Sequence, residues 1–281
     1  MREMSLLFPG GLPKALTLSY DDGVEQDICL IEIMNRYGLK GTFNLSGGLF
    51  APEGTVYPQG QIHRRLTASA ARDLYTNCGQ EIALHAYTHP DLTLLSAGTA
   101  AYQIVKDREA LEEMFGRIVR GMAYPYGTNS EGTAELLKNC GVAYCRTVEA
   151  TCRFDIPTNW LRMPSTCHHD HPRLMELADE FLAAPNYSWS RPKLFYLWGH
   201  SYEFEANNNW HVIEEFAAKV SGKEDIWYAT NIEICDYVNA WKRMITSADG
   251  RRVFNPNCHP IWLWADGKTW KVEAGCEILL D

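Results

Sequence analysis

Hydrophobic and polar positions along the chain follow two patterns in turn. Short apolar runs typical of buried strands occur in KALTLSY, KGTFNLSG, EIALHAY, GMAYPYG, AYCRTV, WLRMPS, KLFYLWGH and DIWYAT. Between these runs, apolar residues recur at helical spacing, as in GTAAYQIVKDREALEEMFGRI and HVIEEFAAKVSG. Strand and helix alternate about seven times over roughly 240 residues, which predicts an α/β fold, a distorted (β/α) barrel of about seven parallel strands.

The last part of the chain has a different pattern. RRVFNPNCHPIWLWADGKTWKVEAGCEILLD places Asp-Gly and Ala-Gly turns between short alternating segments, which predicts small β hairpins. We therefore expect a barrel over residues 1–245 and a short β appendage over residues 246–281 that packs on the barrel. Binding of a ligand by the appendage is the alternative.

Composition limits which binding partners and which cellular compartment we expect for the protein. The 281 residues are 46% hydrophobic, enough for one large core, and their net charge of −9 argues against a nucleic-acid or anionic-membrane partner. No apolar run approaches the roughly 18 residues of a membrane span, and no secretory signal is evident at the N-terminus. The nine cysteines include no Cys-x-x-Cys pair. We expect reduced, mostly buried thiols in a cytoplasmic protein, and the oligomeric state stays open.

Two adjacent carboxylates end the first predicted strand, where SYDDG contains Asp21 and Asp22. Like charges repel at contact distance, so one of the two would tend to keep a proton. A surface Asp-Gly turn is the simple explanation. A bound divalent cation is the more specific explanation, because it could hold one carboxylate and leave the other free as a base.

Histidines end two further predicted strands. If the chain turns helical after His85, then His85 and His89 lie on one face, a spacing that suits two imidazoles on one zinc-like ion. The zinc-protease pattern fails, because Ala86 stands where its glutamate would be. His200 ends LWGH and should face the same rim. The cluster HHDH at 168–171 predicts a loop or a helix N-cap rather than a metal tract.

Four short motifs in order resemble the polysaccharide deacetylase superfamily, that is, carbohydrate esterase family 4 or the nodulation-factor deacetylase homology domain. LSYDDG is similar to its Thr-Phe-Asp-Asp motif, HAYTH to His-Ser/Thr-x-x-His, AYPYG to Arg-x-Pro-Tyr-Gly, and WGH to Leu-x-His. KGTFNLSG resembles the second strand of the family. The resemblance covers about two thirds of the chain, from Lys14 to Glu203.

The resemblance implies a metal-dependent hydrolase that removes acetyl groups from an N-acetylated carbohydrate, in preference to an O-acetylated one. Asp22, His85 and His89 would bind a divalent metal, zinc first, with cobalt, manganese or nickel as alternatives. Asp21 would be the general base and His200 the general acid.

The same resemblance implies that the substrate is a small molecule or an oligosaccharide. The backbone N–H of Tyr126 would hold the oxyanion. The predicted rim positions of Tyr126 and Trp198, together with the stacking of sugar rings on aromatic faces, lead us to expect both side chains to contact the substrate. Two other aromatic residues, Tyr202 and Trp210, also lie near predicted rim positions, although core packing explains most aromatic residues.

Three positions depart from the family pattern. Ala123 stands where the family has an arginine that pairs with the base aspartate, and we expect Arg146 or Arg162, both on predicted strands, to fill that role and to reach the substrate. Trp198 replaces a leucine of the last motif.

The third departure concerns the Asp-Trp motif that orients the acid histidine in the family. It has no clear counterpart here; FDIPTNW offers Asp155 and Trp160.

Two other functions stay open. One is hydrolysis of other small amides or cyclic ureides, because relatives with altered motifs are similar to allantoinase-type enzymes. The other is a non-catalytic sugar-binding protein of the same fold, which the missing arginine motivates. Release of free acetate would distinguish the deacetylase from both.

Overall fold

The computed structural model describes residues 3–185 and 192–281. Its strands are β1 (Met4–Leu7), β2 (Lys14–Asp21), β3 (Gly41–Leu45), β4 (Glu81–Leu84), β5 (Gly121–Ala123), β6 (Tyr144–Ala150), β7 (Met163–Ser165), β8 (Cys167–His168), β9 (Lys193–Gly199), β10 (Ile226–Tyr228), β11 (Ile245–Thr246), β12 (Arg252–Phe254), β13 (Ile261–Ala265), β14 (Lys268–Val272) and β15 (Glu277–Leu279). Its α-helices are α1 (Asp27–Arg36), α2 (Ala68–Thr76), α3 (Ala97–Phe115), α4 (Glu131–Asn139), α5 (Leu174–Ala183), α6 (Ser201–Ala206), α7 (His211–Val220) and α8 (Asn231–Lys242).

The central sheet is parallel and is built around β2. Its strand order is β7-β6-β5-β4-β3-β2-β9-β8, and β10 lies beside the first half of β2. All eight residues of β2 are buried, as expected for a strand covered on both faces. The predicted α/β fold is confirmed. The sheet has nine strands rather than about seven: eight match the eight apolar runs, and the ninth, the two-residue β8, was not recognised from the sequence.

The two ends of the strand order meet in one short segment. Only Thr166 separates β7, which pairs with β6, from β8, which pairs with β9. The Thr166 N–H donates to the carbonyl of Tyr196 in β9 at 2.9 Å. The sheet therefore curls so that its first and last strands are consecutive in sequence.

Helix α3 shows how the local sequence defines an element of the barrel. The Ser96 hydroxyl accepts from the N–H of Thr99 and caps the first turn, and Gly116 ends the helix with a left-handed backbone (φ 62°). The face toward the sheet carries Ile104 and Leu111, as the periodicity predicts. The same face also buries Asp107, a polar residue at a core position.

The appendage includes a strand from the other end of the chain. β1 pairs antiparallel with β13, which pairs with β14, and β11, β12 and β15 form a second three-stranded sheet. The division expected at residue 245 therefore does not describe the first of these sheets, because Met4–Leu7 supplies its edge. Tyr237 of α8 connects this sheet to the barrel: its hydroxyl donates to the Leu7 carbonyl at 3.0 Å and accepts from the Trp262 N–H at 2.9 Å.

Two further expectations concern membranes and cysteines. Over residues 3–185 and 192–281, no helix combines the length and apolar composition needed to cross a membrane. All nine cysteines are free thiols, and four of them are buried, fewer than expected.

Candidate active site

The chain turns sharply where β2 ends. Asp21 is the last residue of the strand, and Asp22 follows with a left-handed backbone, φ 87°, before Gly23 at φ 65°. Such a backbone is costly for a residue that has a Cβ, and it concentrates where the surroundings enforce it. Both carboxylates are thereby buried on the same side of the sheet, with Asp21 3% and Asp22 9% exposed.

The two histidines after β4 meet through a tight turn. The helix considered for this segment does not form, because Ala86 and His89 both have left-handed backbones, with φ of 61° and 54°. The N–H of His89 donates to the carbonyl of Ala86 at 3.2 Å. As a result, the Nε2 atoms of His85 and His89 lie 3.1 Å apart.

Asp22, His85 and His89 form a group that could hold a metal, since one ligand atom from each lies within 4.8 Å of the others. The Nδ1 of His85 lies 2.8 Å from the carbonyl oxygen of Ala123, to which it donates. That hydrogen bond leaves the His85 Nε2 with a free lone pair, the form a metal requires. Two imidazoles and one carboxylate with room for water are a donor set that suits zinc-like ions.

Electrostatics keep this group ready to bind a cation. Burial lowers the pKa of His85, and burial together with the neighbouring His85 lowers the pKa of His89 to about 4, so both imidazoles are neutral near pH 7. Burial would raise the pKa of the Asp22 carboxyl, but the hydrogen bond from His63 and the nearby His85 and Arg65 outweigh burial and hold that pKa well below its usual range.

Sequence reasoning missed two neighbours of Asp22. The Nε2 of His63 lies 3.2 Å from the Asp22 Oδ2, and the Arg65 guanidinium donates to the Asp22 Oδ1 at 3.1 Å and to its carbonyl at 2.8 Å. The His63 ring also packs edge-on against Tyr202, with centroids 4.9 Å apart. Both residues lie in the long loop between β3 and α2, where no motif indicated them.

Arg146 occupies the space beside Asp21 that the family arginine would fill. Its guanidinium donates to the Asp21 Oδ2, and both side chains are almost fully buried. In the pairing of β5 with β6, Arg146 lies directly opposite Ala123, so the cation comes from the neighbouring strand. Burial would raise the pKa of the Asp21 carboxyl, but Arg146, followed by His85 and His200, lowers it overall.

The other arginine candidate lies elsewhere. Arg162 is exposed, and its Nε donates to the Asn129 Oδ1 at 2.7 Å rather than to Asp21. Trp198, expected to contact substrate, is only 8% exposed, and its ring lies 4.2 Å from the guanidinium carbon of Arg146. The Trp198 ring therefore supports the buried cation and leaves little surface for a ligand.

His200 approaches the base from the end of β9. Its Nε2 lies 3.9 Å from the Asp21 Oδ2, and its Nδ1 lies 3.2 Å from the Oε1 of Glu203. Burial would lower the pKa of His200, but Glu203 and then Asp21 raise it overall. A neighbouring carboxylate thus favours the protonated imidazole, which a general acid needs.

Glu203, which sequence reasoning missed, takes the place considered for FDIPTNW. Asp155 lies at the surface, 2.7 Å from the Nε of Arg153, and Trp160 packs in a different core cluster with Tyr144 and Met163. The one indication in the sequence was position: Glu203 follows His200 by three residues at the start of α6.

The HHDH segment, expected to be a loop or a helix N-cap, forms the end of β8 and the turn after it, while the N-cap of α5 is Arg173. The segment contacts Glu203. The Nε2 atoms of His168 and His169 each lie 3.2 Å from the Glu203 Oε2, and with Asp170 these residues form a second group of metal-ligand type. The Nδ1 of His168 accepts from the Asp170 N–H, so its Nε2 carries the proton in the neutral ring and is not free for a metal. The cluster is therefore better described as imidazoles around one carboxylate.

Tyr126 lies at the mouth of the site after β5. It is 66% exposed, has a left-handed backbone (φ 59°), and its ring lies edge-on to His89 with centroids 4.6 Å apart. Gly127 follows at φ 74°, where a Cβ would collide with Val148. Trp210 packs against Phe204 and contributes to the core.

Comparison with known proteins relates nearly half of the chain to a family. A family model described as polysaccharide deacetylase matches residues 10–145, which include Asp21, Asp22, His85 and His89. The peptidoglycan-N-acetylglucosamine deacetylase PgdA of Listeria monocytogenes is 25% identical over 124 residues, which cover 43% of this chain and 23% of that protein. The matched part thus spans less than a quarter of the length of this relative.

Solved structures share the fold. A Mycobacterium smegmatis protein whose description assigns it to the polysaccharide deacetylases is 19% identical, with a TM-score of 0.60 over 86% of this chain and 96% of that one. The chitin deacetylase of Colletotrichum lindemuthianum is 17% identical, with a TM-score of 0.51 over 82% of this chain and 89% of that one. The family match over residues 10–145 supports the polysaccharide deacetylase superfamily, which the motifs predicted.

Proposed function

We propose that the protein is a metal-dependent hydrolase that removes acetyl groups from N-acetylated carbohydrate. One observation carries the proposal: a metal-ligand group, a buried carboxylate paired with arginine, and a histidine paired with glutamate converge at one end of the sheet. Each supplies a different requirement of amide hydrolysis, namely a cation, a base and an acid. The match to the deacetylase family supports carbohydrate as the substrate class.

Asp22, His85 and His89 would hold the metal. The neutral His85, whose Nδ1 donates to Ala123, presents its Nε2 lone pair, and the ionised Asp22 supplies the negative charge. When bound, the metal polarises an acetyl carbonyl and lowers the pKa of water. Zinc is our first choice, because two imidazoles and one carboxylate suit it.

Asp21 would take the proton from the attacking water. Arg146 and Asn44 hold its carboxylate: Arg146 contacts Oδ2, and the Asn44 amide donates to Oδ1 at 2.8 Å. The lowered pKa keeps this base ionised well below neutral pH. A fixed, ionised carboxylate is ready for proton transfer without reorganisation.

His200 would give a proton to the leaving amine. Glu203 beside Nδ1 orients the ring, so that Nε2 points toward the side of the site where Asp21 lies. The backbone N–H of Tyr126 is our candidate for the oxyanion, since this residue borders His89.

The test combines metal analysis with product analysis. Protein purified without added metal is titrated with zinc, cobalt, manganese and nickel, and free acetate is measured on N-acetylglucosamine oligomers and on an O-acetylated glycan. We expect about one ion per chain, bound at the Asp22 group, and acetate from the N-acetylated substrate. Metal binding without acetate from either glycan would favour the sugar-binding or small-amide alternatives, and an absence of metal binding would overturn the mechanism.

A further inference from the structure

A buried carboxyl that the proposed mechanism does not use lies behind the two histidines. Asp107 of α3 is fully buried. Its Oδ2 accepts from the backbone N–H of His85 at 3.0 Å, and its Oδ1 accepts from the backbone N–H of Gly47 at 2.6 Å. The His85 N–H is shared with the Leu45 carbonyl at 2.9 Å. One carboxylate thus joins the ends of β3 and β4 at the site.

A second residue of α3 holds the same loop one helical turn earlier. The Gln103 Oε1 accepts from the N–H of Thr88 at 2.8 Å and from its hydroxyl at 3.1 Å. The Gln103 carbonyl accepts from the N–H of Tyr87 at 3.2 Å. Residues four apart on a helix share a face, so Gln103 and Asp107 together contact the segment between His85 and His89 at both ends.

This segment needs external support. Ala86 and His89 both adopt left-handed backbones, which residues with a Cβ rarely do. Such a backbone persists only where neighbouring groups over-determine it. Turning either residue to a common backbone conformation would move the His89 Nε2 away from the His85 Nε2, which now lies 3.1 Å from it.

We infer that Asp107 and Gln103 are positioning residues for the metal site. They fix the backbone of the His85–His89 loop from behind, so that the two Nε2 atoms face one point. The inference rests on the proposed function, because it assigns these residues a purpose only if the histidines bind a metal.

The chemistry of Asp107 makes a sharp variant possible. Both of its oxygens face backbone N–H groups, which cannot reverse their direction. The amide of Asp107→Asn can accept from one of them only, and its own N–H₂ must then oppose the other donor. The variant keeps the side-chain volume but loses one of the two contacts that join Gly47 and His85.

Glu81 supplies a matched control at the opposite end of the sheet. It is also a nearly buried carboxyl with hydrogen bonds, from the Thr42 hydroxyl and the Ile232 N–H to Oε2, and from the Tyr144 hydroxyl to Oε1. The Tyr144 hydroxyl can rotate and accept, so Glu81→Gln can satisfy every partner. Its effect on metal binding should therefore be absent.

The experiment measures the dissociation constant for zinc by competition with a chelator, on folded wild type, Asp107→Asn, Gln103→Ala and Glu81→Gln. We expect Asp107→Asn to bind zinc about 10- to 100-fold more weakly, Gln103→Ala more weakly by a smaller factor, and Glu81→Gln as wild type does. Thermal unfolding of the metal-free proteins shows whether each variant folds, and Gln103→Ala decides the question if Asp107→Asn does not fold.

The outcomes separate this inference from the proposed function. Wild-type zinc affinity in folded Asp107→Asn, or in Gln103→Ala when the first variant does not fold, would overturn the inference alone. Equal weakening in Glu81→Gln would also overturn it, because a general loss of stability would then explain the result. Wild-type protein that binds no zinc, cobalt, manganese or nickel would overturn the proposed function, and this inference with it.

Discussion

The two ends of the central sheet differ in how they treat buried polar groups. At the amino ends of the strands, the Glu81 carboxyl has three well-formed hydrogen bonds, and the Lys14 ammonium donates to the Leu182 carbonyl and to Asp225. At the carboxyl ends, Asp22, Ala86, His89 and Tyr126 all have left-handed backbones.

The polar groups at the carboxyl ends are also less completely paired. Both ring nitrogens of His169 lack a well-aligned partner within the described part of the chain, although Glu203 is close. Strained backbones and incompletely paired groups are expected where chemistry, rather than stability, has determined the residues. The difference assigns stability to one end and the candidate active site to the other.

The strongest test of this division removes a proposed metal ligand. His89→Ala should abolish high-affinity metal binding and lower kcat/KM roughly 10³-fold, because a metal contributes several kcal/mol to the transition state. Elemental analysis and acetate release measure both effects. His259→Ala, which removes a half-buried histidine stacked on Tyr237 in the appendage, is the control and should keep the metal. Full activity in His89→Ala would show that the active site does not lie at this end of the sheet.

A second test concerns the buried ion pair of Arg146 and Asp21, which joins the candidate active site to the core. Arg146→Ala leaves the buried Asp21 carboxylate without its cation, so we expect a loss of about 3–5 kcal/mol in the free energy of unfolding and a large loss of kcat. Urea unfolding and turnover are the measurements. Arg162→Ala, on the exposed side of the same region, should change stability by no more than about 0.5 kcal/mol. Equal effects of the two variants would contradict the assignment of Arg146.

A third test uses pH. Glu203 raises the pKa of His200, the proposed general acid, so its protonated form persists to higher pH than that of an ordinary histidine. In Glu203→Gln the pKa falls, the acid loses its proton earlier as pH rises, and the basic limb of the kcat profile should move to lower pH. Loss of the carboxylate charge beside Nδ1 predicts about a 10- to 100-fold fall in kcat.

Glu233→Gln is the matched control for that profile. Glu233 occupies the same third position of a helix, where its carboxylate accepts from the Thr230 N–H at 2.8 Å. It lies far from His200 in the fold, at the start of α8. An unshifted basic limb in Glu203→Gln, or an equal shift in Glu233→Gln, would contradict the role of Glu203.

The smallest effect on activity is expected at the stable end. Burial raises the pKa of Glu81 to about 7 from an ordinary 4.5, so the folded state holds this proton more tightly than the unfolded state. Stability from this group is present below pH 4.5 and is lost as pH rises toward 7, by about 3 kcal/mol. Glu81→Gln should therefore show a shallower fall in the free energy of unfolding over this range. Parallel pH curves for the two proteins would contradict the shift.

Motifs and periodicity predicted the fold and most of the candidate site. Strand ends located Asp21, Asp22, His85, His89 and His200, because parallel strands bring their carboxyl ends to one rim. Local pattern could not predict the turn that joins His85 to His89. That turn depends on contacts from Gln103 and Asp107 of α3, which lie more than ten residues further along the chain.

The residues that sequence reasoning missed or left open act across the fold. Sequence reasoning left Arg146 and Arg162 as alternatives, and the register of β5 with β6, which no single strand contains, places Arg146 opposite Ala123. His63 and Arg65 lie on a loop that packs over Asp22, and such contacts leave no periodic trace. Glu203 is close to His200 in sequence, but a glutamate at the start of a helix is common enough to attract no notice.

The segment around Thr166 has a consequence for how the chain folds. Its first half pairs with β6 and its second half with β9, while β2 pairs with β9 across the span from Lys14 to Lys193. Neither the N-terminal nor the C-terminal part of the chain can complete the sheet alone. Loop closure over so many residues is slow. Refolding should therefore proceed through an incomplete sheet, and the docking of this short segment should come among the last steps.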